Sequence, residues 1–296
     1  DVLGLDEDKI RSILSAEDTK NSQYQILKKQ LSMDEKKAFE DYESPAEDSE
    51  LSDAQKAERA NIKGVWFEED YLRSYPFNEL ANDKNVRGII LTGEGRAFMA
   101  GADISEMKNW DTAGGREFAR FSNYAFSKVS DIDKPTICAI NGFALGGGLE
   151  LSLCCDWRIA SENAVMAAPE VGLGIIPSGG GTQRLPRLIG SGRAKELIFT
   201  GRKISAAEAE RIGIVNKVVP DEHLIDEAVG SMKEALANSS IALKYAKEAI
   251  DTGLDMDLDN GIKVEINSVG MVFASDDRME GVTAFLEKRK PEFKNR

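Results

Sequence analysis

The sequence predicts an α/β fold, and three observations carry that reading. Short apolar runs, VRGIILTG at 86–93 and PTICAING at 135–142, have the length and composition of strands. A helix-like stretch at 118–129 separates them, so strand and helix alternate along the chain. Finally, 296 residues with 42% hydrophobic and 30% charged side chains suffice for one large core, or a core with a smaller appendage.

Taken in order, residues 1–64 differ in texture from the rest. Helix-like pieces at 22–42 and 54–62 flank the acidic, turn-prone ESPAEDSELSD, and no strand is expected among them. They read as an atypical acidic helical extension, solvated or packed on a partner. Residues 65–192 hold the strand and helix alternation of the α/β core. Residues 193–296 read as mainly helical, with helices at 193–197, 205–211, 223–236, 241–252 and Leu258–Phe273 and the strand IGIVNKVV between them. This second half suits contacts between copies of the chain.

Composition excludes several functions. A net charge of -13 opposes broad attraction to nucleic acid or to anionic membrane surfaces. No apolar run reaches the length of a membrane span, and the polar opening DVLGLDEDKIRS is unlike a signal peptide, so a cytoplasmic protein is expected. Cys138, Cys154 and Cys155 lie in apolar surroundings and read as small buried side chains. His223 is the single histidine, which argues against a histidine triad or a multi-histidine metal site; no metal is expected. The glycine runs lack the G-K-[ST] ending of a phosphate-binding nucleotide loop.

The chemistry concentrates in three stretches. In NGFALGGGLELSLCC, three consecutive glycines after strand PTICAI imply close backbone approach or unusual dihedrals at the entry to a helix. The amide of Gly147, unpaired at that helix start, is a candidate donor to a developing negative oxygen; tight helix-on-sheet packing explains the glycines equally well. Glu150 follows in apolar company. A carboxyl buried there has a raised pKa suited to proton exchange, or else satisfies backbone donors at a helix terminus. In APEVGLGIIPSGGGTQRL, Glu170 is a second lone carboxyl, held by Pro169, and reads either as the partner of Glu150 or as a loop acid capping PSGGG or a nearby helix. In GEGRAFMAGADISEM, the small residues Ala100, Gly101 and Ala102 allow backbone N–H groups to approach a ligand, and Asp103 is placed to cap a helix over 104–110.

FMAGADISEM, KPTICAINGFALGGGLELSLCCD, APEVGLGIIPSGGGTQRL, TGRKISAAEAERIGIVNKVVP and DDRMEGVTAFLEKRKPEFK, in this order, resemble the successive signatures of the enoyl-CoA hydratase/isomerase, or crotonase, superfamily, most closely its hydratases. The resemblance runs from residue 82 or so to the end. It implies a crotonase-like spiral of ββα units with a helical C-terminal oligomerisation region, assembled as a homotrimer or homohexamer. It also implies an acyl-CoA substrate, with coenzyme A present as part of the thioester and no separate cofactor. The implied oxyanion donors are the Ala100 and Gly147 amides. Glu150 is implied as the base that activates water and Glu170 as the proton donor, in reversible syn hydration of a trans-2-enoyl-CoA to a 3-hydroxyacyl-CoA; a shared role in orienting the water fits the same pair. Ala102, Asp103 and Ile104 match the loop around the CoA adenine, and Lys288, Arg289 and Lys290 are candidates for balancing phosphate charge, with a solvated helix end as the alternative. Ile104, Met107, Trp110, Leu145 and Leu173 are candidates for the acyl pocket, each also readable as core. The large Trp110 implies a short or medium acyl group.

The front of the chain departs from the family pattern. Residues 63–80, KGVWFEEDYLRSYPFNEL, offer little of the usual first strand pair and turn, so the early strands are expected to be absent or replaced by the helical residues 1–64. Two further readings stand beside hydration: an enoyl-CoA isomerase or specialised acyl-CoA dehydratase, and a crotonase-fold interaction protein without catalysis.

Overall fold

The computed structural model describes residues 24–29, 80–84 and 86–296. Two sheets organise it. The larger contains β1 (Tyr24–Lys29), β2 (Gly88–Gly93), β4 (Thr136–Ile140), β6 (Trp157–Ser161) and β9 (Lys217–Val219), in that spatial order and parallel throughout. The smaller contains β3 (Ala97–Met99), β5 (Phe143–Leu145), β7 (Val165–Ala167) and β8 (Ile204–Ser205), with the β7 and β8 pair antiparallel.

The chain visits the sheets alternately. β2 then β3 leads to helices α1 (Ile104–Met107) and α2 (Thr112–Ser130). β4 then β5 leads to α3 (Gly147–Ser152). β6 then β7 leads to a 3-10 turn (Glu170–Leu173), α4 (Gly181–Ile189) and α5 (Ser191–Thr200). These are the ββα units of a crotonase-like spiral, so the α/β expectation holds.

Parallel strands are covered on both faces and therefore read as unbroken apolar runs. All six residues of β2 and all five of β4 are buried. Their side chains alternate between two cores, as the period of two requires. Ile90, Ile137 and Ile159 face Ala228, Val229, Met232 and Leu236 of α7 (Leu224–Leu236). Ile89, Leu91, Cys138 and Ile140 face the smaller sheet through Phe98, Met99 and Ala144. The three cysteines are free and buried; burial pushes the Cys154 thiol up to about 12.

One expectation for the front is corrected. Residues 22–42 read as helical, yet YQILKK at Tyr24–Lys29 forms β1, running in register from Tyr24 opposite Gly88 to Lys29 opposite Gly93. The open edge of β2 supplies a full ladder of backbone partners, and that tertiary pairing outweighs weak local helix preference. The rest of the expected 1–64 extension lies outside the described residues.

After α6 (Ala206–Ile212) and α7, the C-terminal part is a helical group: α8 (Ser240–Leu254), α9 (Leu258–Phe273) and α10 (Asp276–Glu287). The strand expected in IGIVNKVV is confined to β9, because Gly213 stops α6 in a left-handed conformation and the chain needs Ile214 and Val215 to return to the core. α8 buries none of its own side chains; it docks through Lys244 on Asp133 at 2.5 Å and Lys247 on Asp156 at 2.8 Å. The buried Asp277 of α10 accepts from Ser239 Oγ at 2.7 Å and from the Lys294 N–H at 2.7 Å, pinning the tail to the start of α8. Among the described residues, no helix is long and apolar enough to cross a membrane.

Candidate active site

β3 and β5 are parallel neighbours, with Ala97 opposite Phe143 and a register shift before Met99 meets Ala144. Parallel strands release their chains at the same end, so the loop that begins at Ala100 and the turn that begins at Gly146 emerge side by side. The Cα of Gly101, at φ 111°, directs its missing Cβ to a point 3.6 Å from the Leu145 carbonyl oxygen.

The three glycines are then explained individually. Gly146 has φ 53° and ψ -119°, a conformation L side chains avoid. Gly147 is the first residue of α3, so its N–H has no acceptor one turn earlier in the helix. A Cβ on Gly148 would stand 1.9 Å from the Met99 carbonyl oxygen, so α3 lies directly on β3. Close packing and special dihedrals, alternatives from sequence, both apply here at different residues.

Glu150 follows on α3 and is only 4% exposed. Its Oε1 accepts the Gly179 N–H at 2.8 Å and the Gly181 N–H at 2.7 Å. Burial raises its pKa, while the amides of Gly181, Gly179 and Ser178 and the charge of Arg184 oppose that rise. Thus PSGGG is capped by Glu150, not by Glu170 as one sequence alternative had it.

Glu170, 9% exposed, opens the 3-10 turn after Pro169. Its Oε2 is buried and has no hydrogen-bond partner. Burial, reinforced by the negative charge of Glu150, pushes its pKa up to about 7. A Cβ on Gly146 would stand 3.0 Å from Glu170 Oε1, which places this carboxyl against the residue preceding Gly147. The two acids, twenty positions apart in sequence, are therefore close enough for the charge of Glu150 to act on Glu170.

The remaining expected residues separate by position. Asp103 Oδ1 caps α1, accepting from the Ser105 N–H at 2.8 Å and its hydroxyl at 2.7 Å; Ala102 is half-buried and Ile104 exposed. α1 ends at Met107, short of the expected 110, because Asp111 starts α2 by accepting the Gly114 N–H at 2.9 Å. Trp110 lies between the helices, with its ring centroid 5.1 Å from that of Phe118. Leu145 is buried, Met107 and Trp110 are half-buried, and Leu173 is exposed. Arg289 is held in a two-point pair with Glu280 at 2.6 and 2.9 Å and meets Glu287 at 2.7 Å, so a phosphate would compete with two carboxylates for it. Lys288, at φ 57°, ends α10, and Lys290 follows in the exposed tail.

Sequence reasoning passed over the groups that hold Glu150. Asn123 Nδ2 donates to the Ser178 carbonyl at 2.5 Å, the same peptide unit whose Gly179 N–H reaches Glu150. Arg184 Nη1 donates to the Gly179 carbonyl at 3.2 Å. The signal available was the glycine run before a helix, which marks a loop of exposed amides.

Comparison with known proteins identifies the family of the chain. The family model described as enoyl-CoA hydratase/isomerase matches residues 74–296. A short-chain-enoyl-CoA hydratase of Clostridium acetobutylicum is 49% identical over 224 residues, 75% of this chain and 86% of that protein. A crotonyl-CoA hydratase of Syntrophomonas wolfei is 47% identical over 213 residues, 72% of this chain and 82% of that protein. The crystal structure of an enoyl-CoA hydratase from Bacillus anthracis superposes with a TM-score of 0.71 at 43% identity, covering 83% of this chain and 90% of that one.

Proposed function

This chain belongs to the enoyl-CoA hydratase/isomerase family, and from that premise we propose that it catalyses reversible syn hydration of a trans-2-enoyl-CoA to a 3-hydroxyacyl-CoA. The observation that carries the reading is the unlike provision for two neighbouring buried carboxyls. Glu150 has two amide donors on one oxygen, which favours the carboxylate; Glu170 has an unpartnered oxygen and a pKa near 7, which favours a mobile proton.

In this reaction the thioester carbonyl lies between the N–H groups of Ala100 and Gly147, which makes C3 electrophilic. Glu150 takes a proton from water as its oxygen bonds to C3. Electron density moves through C2 onto the carbonyl oxygen, where each amide contributes roughly 3 kcal/mol of transition-state stabilisation. Glu170 then delivers a proton to C2 on the same face. Water is added across the double bond with no redox change, so no further cofactor is required.

Ala102, Asp103 and Ile104 are assigned to the CoA loop, with Lys288 and Lys290, and Arg289 where it leaves Glu280, meeting phosphate. Ile104, Met107, Trp110, Leu145 and Leu173 are assigned to the acyl pocket. A short or medium acyl group suits Trp110, and relatives named for short-chain and crotonyl substrates support it. The apolar side chains left exposed on α8, α9 and α10, including Leu254, Leu258, Ile266 and Phe285, support assembly as a homotrimer or homohexamer.

Crotonyl-CoA hydration by Glu150→Gln and Glu170→Gln tests the chemistry. Both variants should lose about 10²-fold or more in kcat, the scale of a lost acid or base. Near-normal turnover in both would end the assignment. A series of acyl lengths should peak at short or medium chains.

A further inference from the structure

Asn141 lies where β4 passes the chain to β5, and it is 8% exposed. Both ends of its side chain are used. Oδ1 accepts the Gly93 N–H at 3.1 Å, while Nδ2 donates to the carbonyls of Gly95 at 3.0 Å and Ala97 at 3.5 Å. The three partners are the last residue of β2, Gly95 in the turn that follows, and the first residue of β3.

That turn feeds the oxyanion site. β3 has three residues and runs straight into Ala100; β5 has three residues and runs into Gly146 and Gly147. A parallel ladder of this length makes few hydrogen bonds, and its pairing already shifts between Ala97 and Met99. Register is weakly specified in such a pair, and a bulge re-aims the residues beyond it. A clamp at the strand starts therefore determines how the two strand ends stand to one another.

The backbone around Asn141 leaves no slack. A Cβ on Gly142 would stand 2.0 Å from the Arg96 carbonyl oxygen, and one on Gly93 would stand 2.1 Å from that of Ala97. The Phe143 N–H donates to Arg96 O at 3.3 Å beside them. We infer that Asn141 is a positioning residue for the oxyanion pair: its amide ties the start of β3 to the start of β5 and so sets the Ala100 N–H against the Gly147 N–H. The inference rests on the hydration reading for the use of those two amides. It is separable from the placement of Glu150, which is held by Gly179 and Gly181.

The test uses the full chain with Asn141→Asp, which keeps the shape and the acceptor but loses both donors, and Asn141→Ala, which removes the clamp without adding charge. Crotonyl-CoA kinetics are measured with the absorption of a bound cinnamoyl-CoA bearing an electron-donating ring substituent, whose band moves to longer wavelength as its thioester carbonyl is polarised. Both folded variants should lose up to about 10²-fold in kcat with little change in KM, as expected of an Å-scale misplacement, and should shorten the wavelength shift. A full wavelength shift or wild-type kcat in both variants overturns the inference, as does failure of both to fold, which would make Asn141 a determinant of folding. Absence of turnover and of any wavelength shift in the wild type would instead sink the hydration reading.

Discussion

Glu150 and Glu170 show how two buried side chains of the same type meet unlike surroundings. Both are buried, which raises both carboxyl pKa values; two amide donors moderate the rise at Glu150 without reversing it, while Glu170 keeps one oxygen without a hydrogen-bond partner. Because the folded-state pKa of Glu170 is raised, from an ordinary 4.5 to about 7, its ionisation opposes folding. Stability associated with the neutral acid is fully present below about 4.5 and is lost as pH rises through about 7. Glu170→Gln, which stays neutral, should therefore gain up to about 3 kcal/mol on the wild type between pH 5 and pH 8. Denaturant unfolding at the two values measures this, and an unchanged difference would remove Glu170 as a buried titrating group. On the proposed mechanism, kcat/KM for hydration in the wild type should fall as pH rises past 7, as Glu170 ionises.

At the scale of elements, the site depends on α3 lying hard against β3. Gly148 is the point of contact, and Gly148→Ala places a methyl group within 1.9 Å of a backbone oxygen. Neither element can yield without moving Gly147, Glu150 or Ala100. The variant should lose about 3 kcal/mol or more of stability and lose activity with it. Gly115→Ala on α2 is the control: nothing lies within 4 Å of the new Cβ, so it should gain about 0.5–1 kcal/mol through helix propensity and reduced chain entropy. Thermal unfolding of both variants would expose a wrong account of the contact if Gly148→Ala proved neutral.

For the whole molecule, the division lies between a buried α/β core and a helical group with an apolar outer face. α8 and α9 pack on each other where Gly253 and Gly261 bring the backbones together, yet Leu258 is 77% and Ile266 63% exposed. Single exposed apolar residues are ordinary, but a series along adjoining helices calls for cover. The doubly substituted Leu258→Glu, Ile266→Glu should sediment as a monomer, against a trimer or hexamer for the wild type. A monomeric wild type would overturn that assembly.

The sequence by itself determined the α/β class, the long buried strands and the candidate acids, because a six-residue apolar strand or a carboxyl among leucines is a local signal. It was silent on the smaller sheet: three-residue strands such as AFM and FAL are too short for periodicity to distinguish them from turns. YQILKK was misread for the complementary reason, since its strand state comes from pairing with β2, far along the chain. The partners of Glu150 were hidden likewise, for Gly179 and Gly181 are brought to it only when α4 packs behind α3. Only the tertiary structure decided which glycine yields to packing and which to dihedral angle, because those roles depend on atoms from other strands.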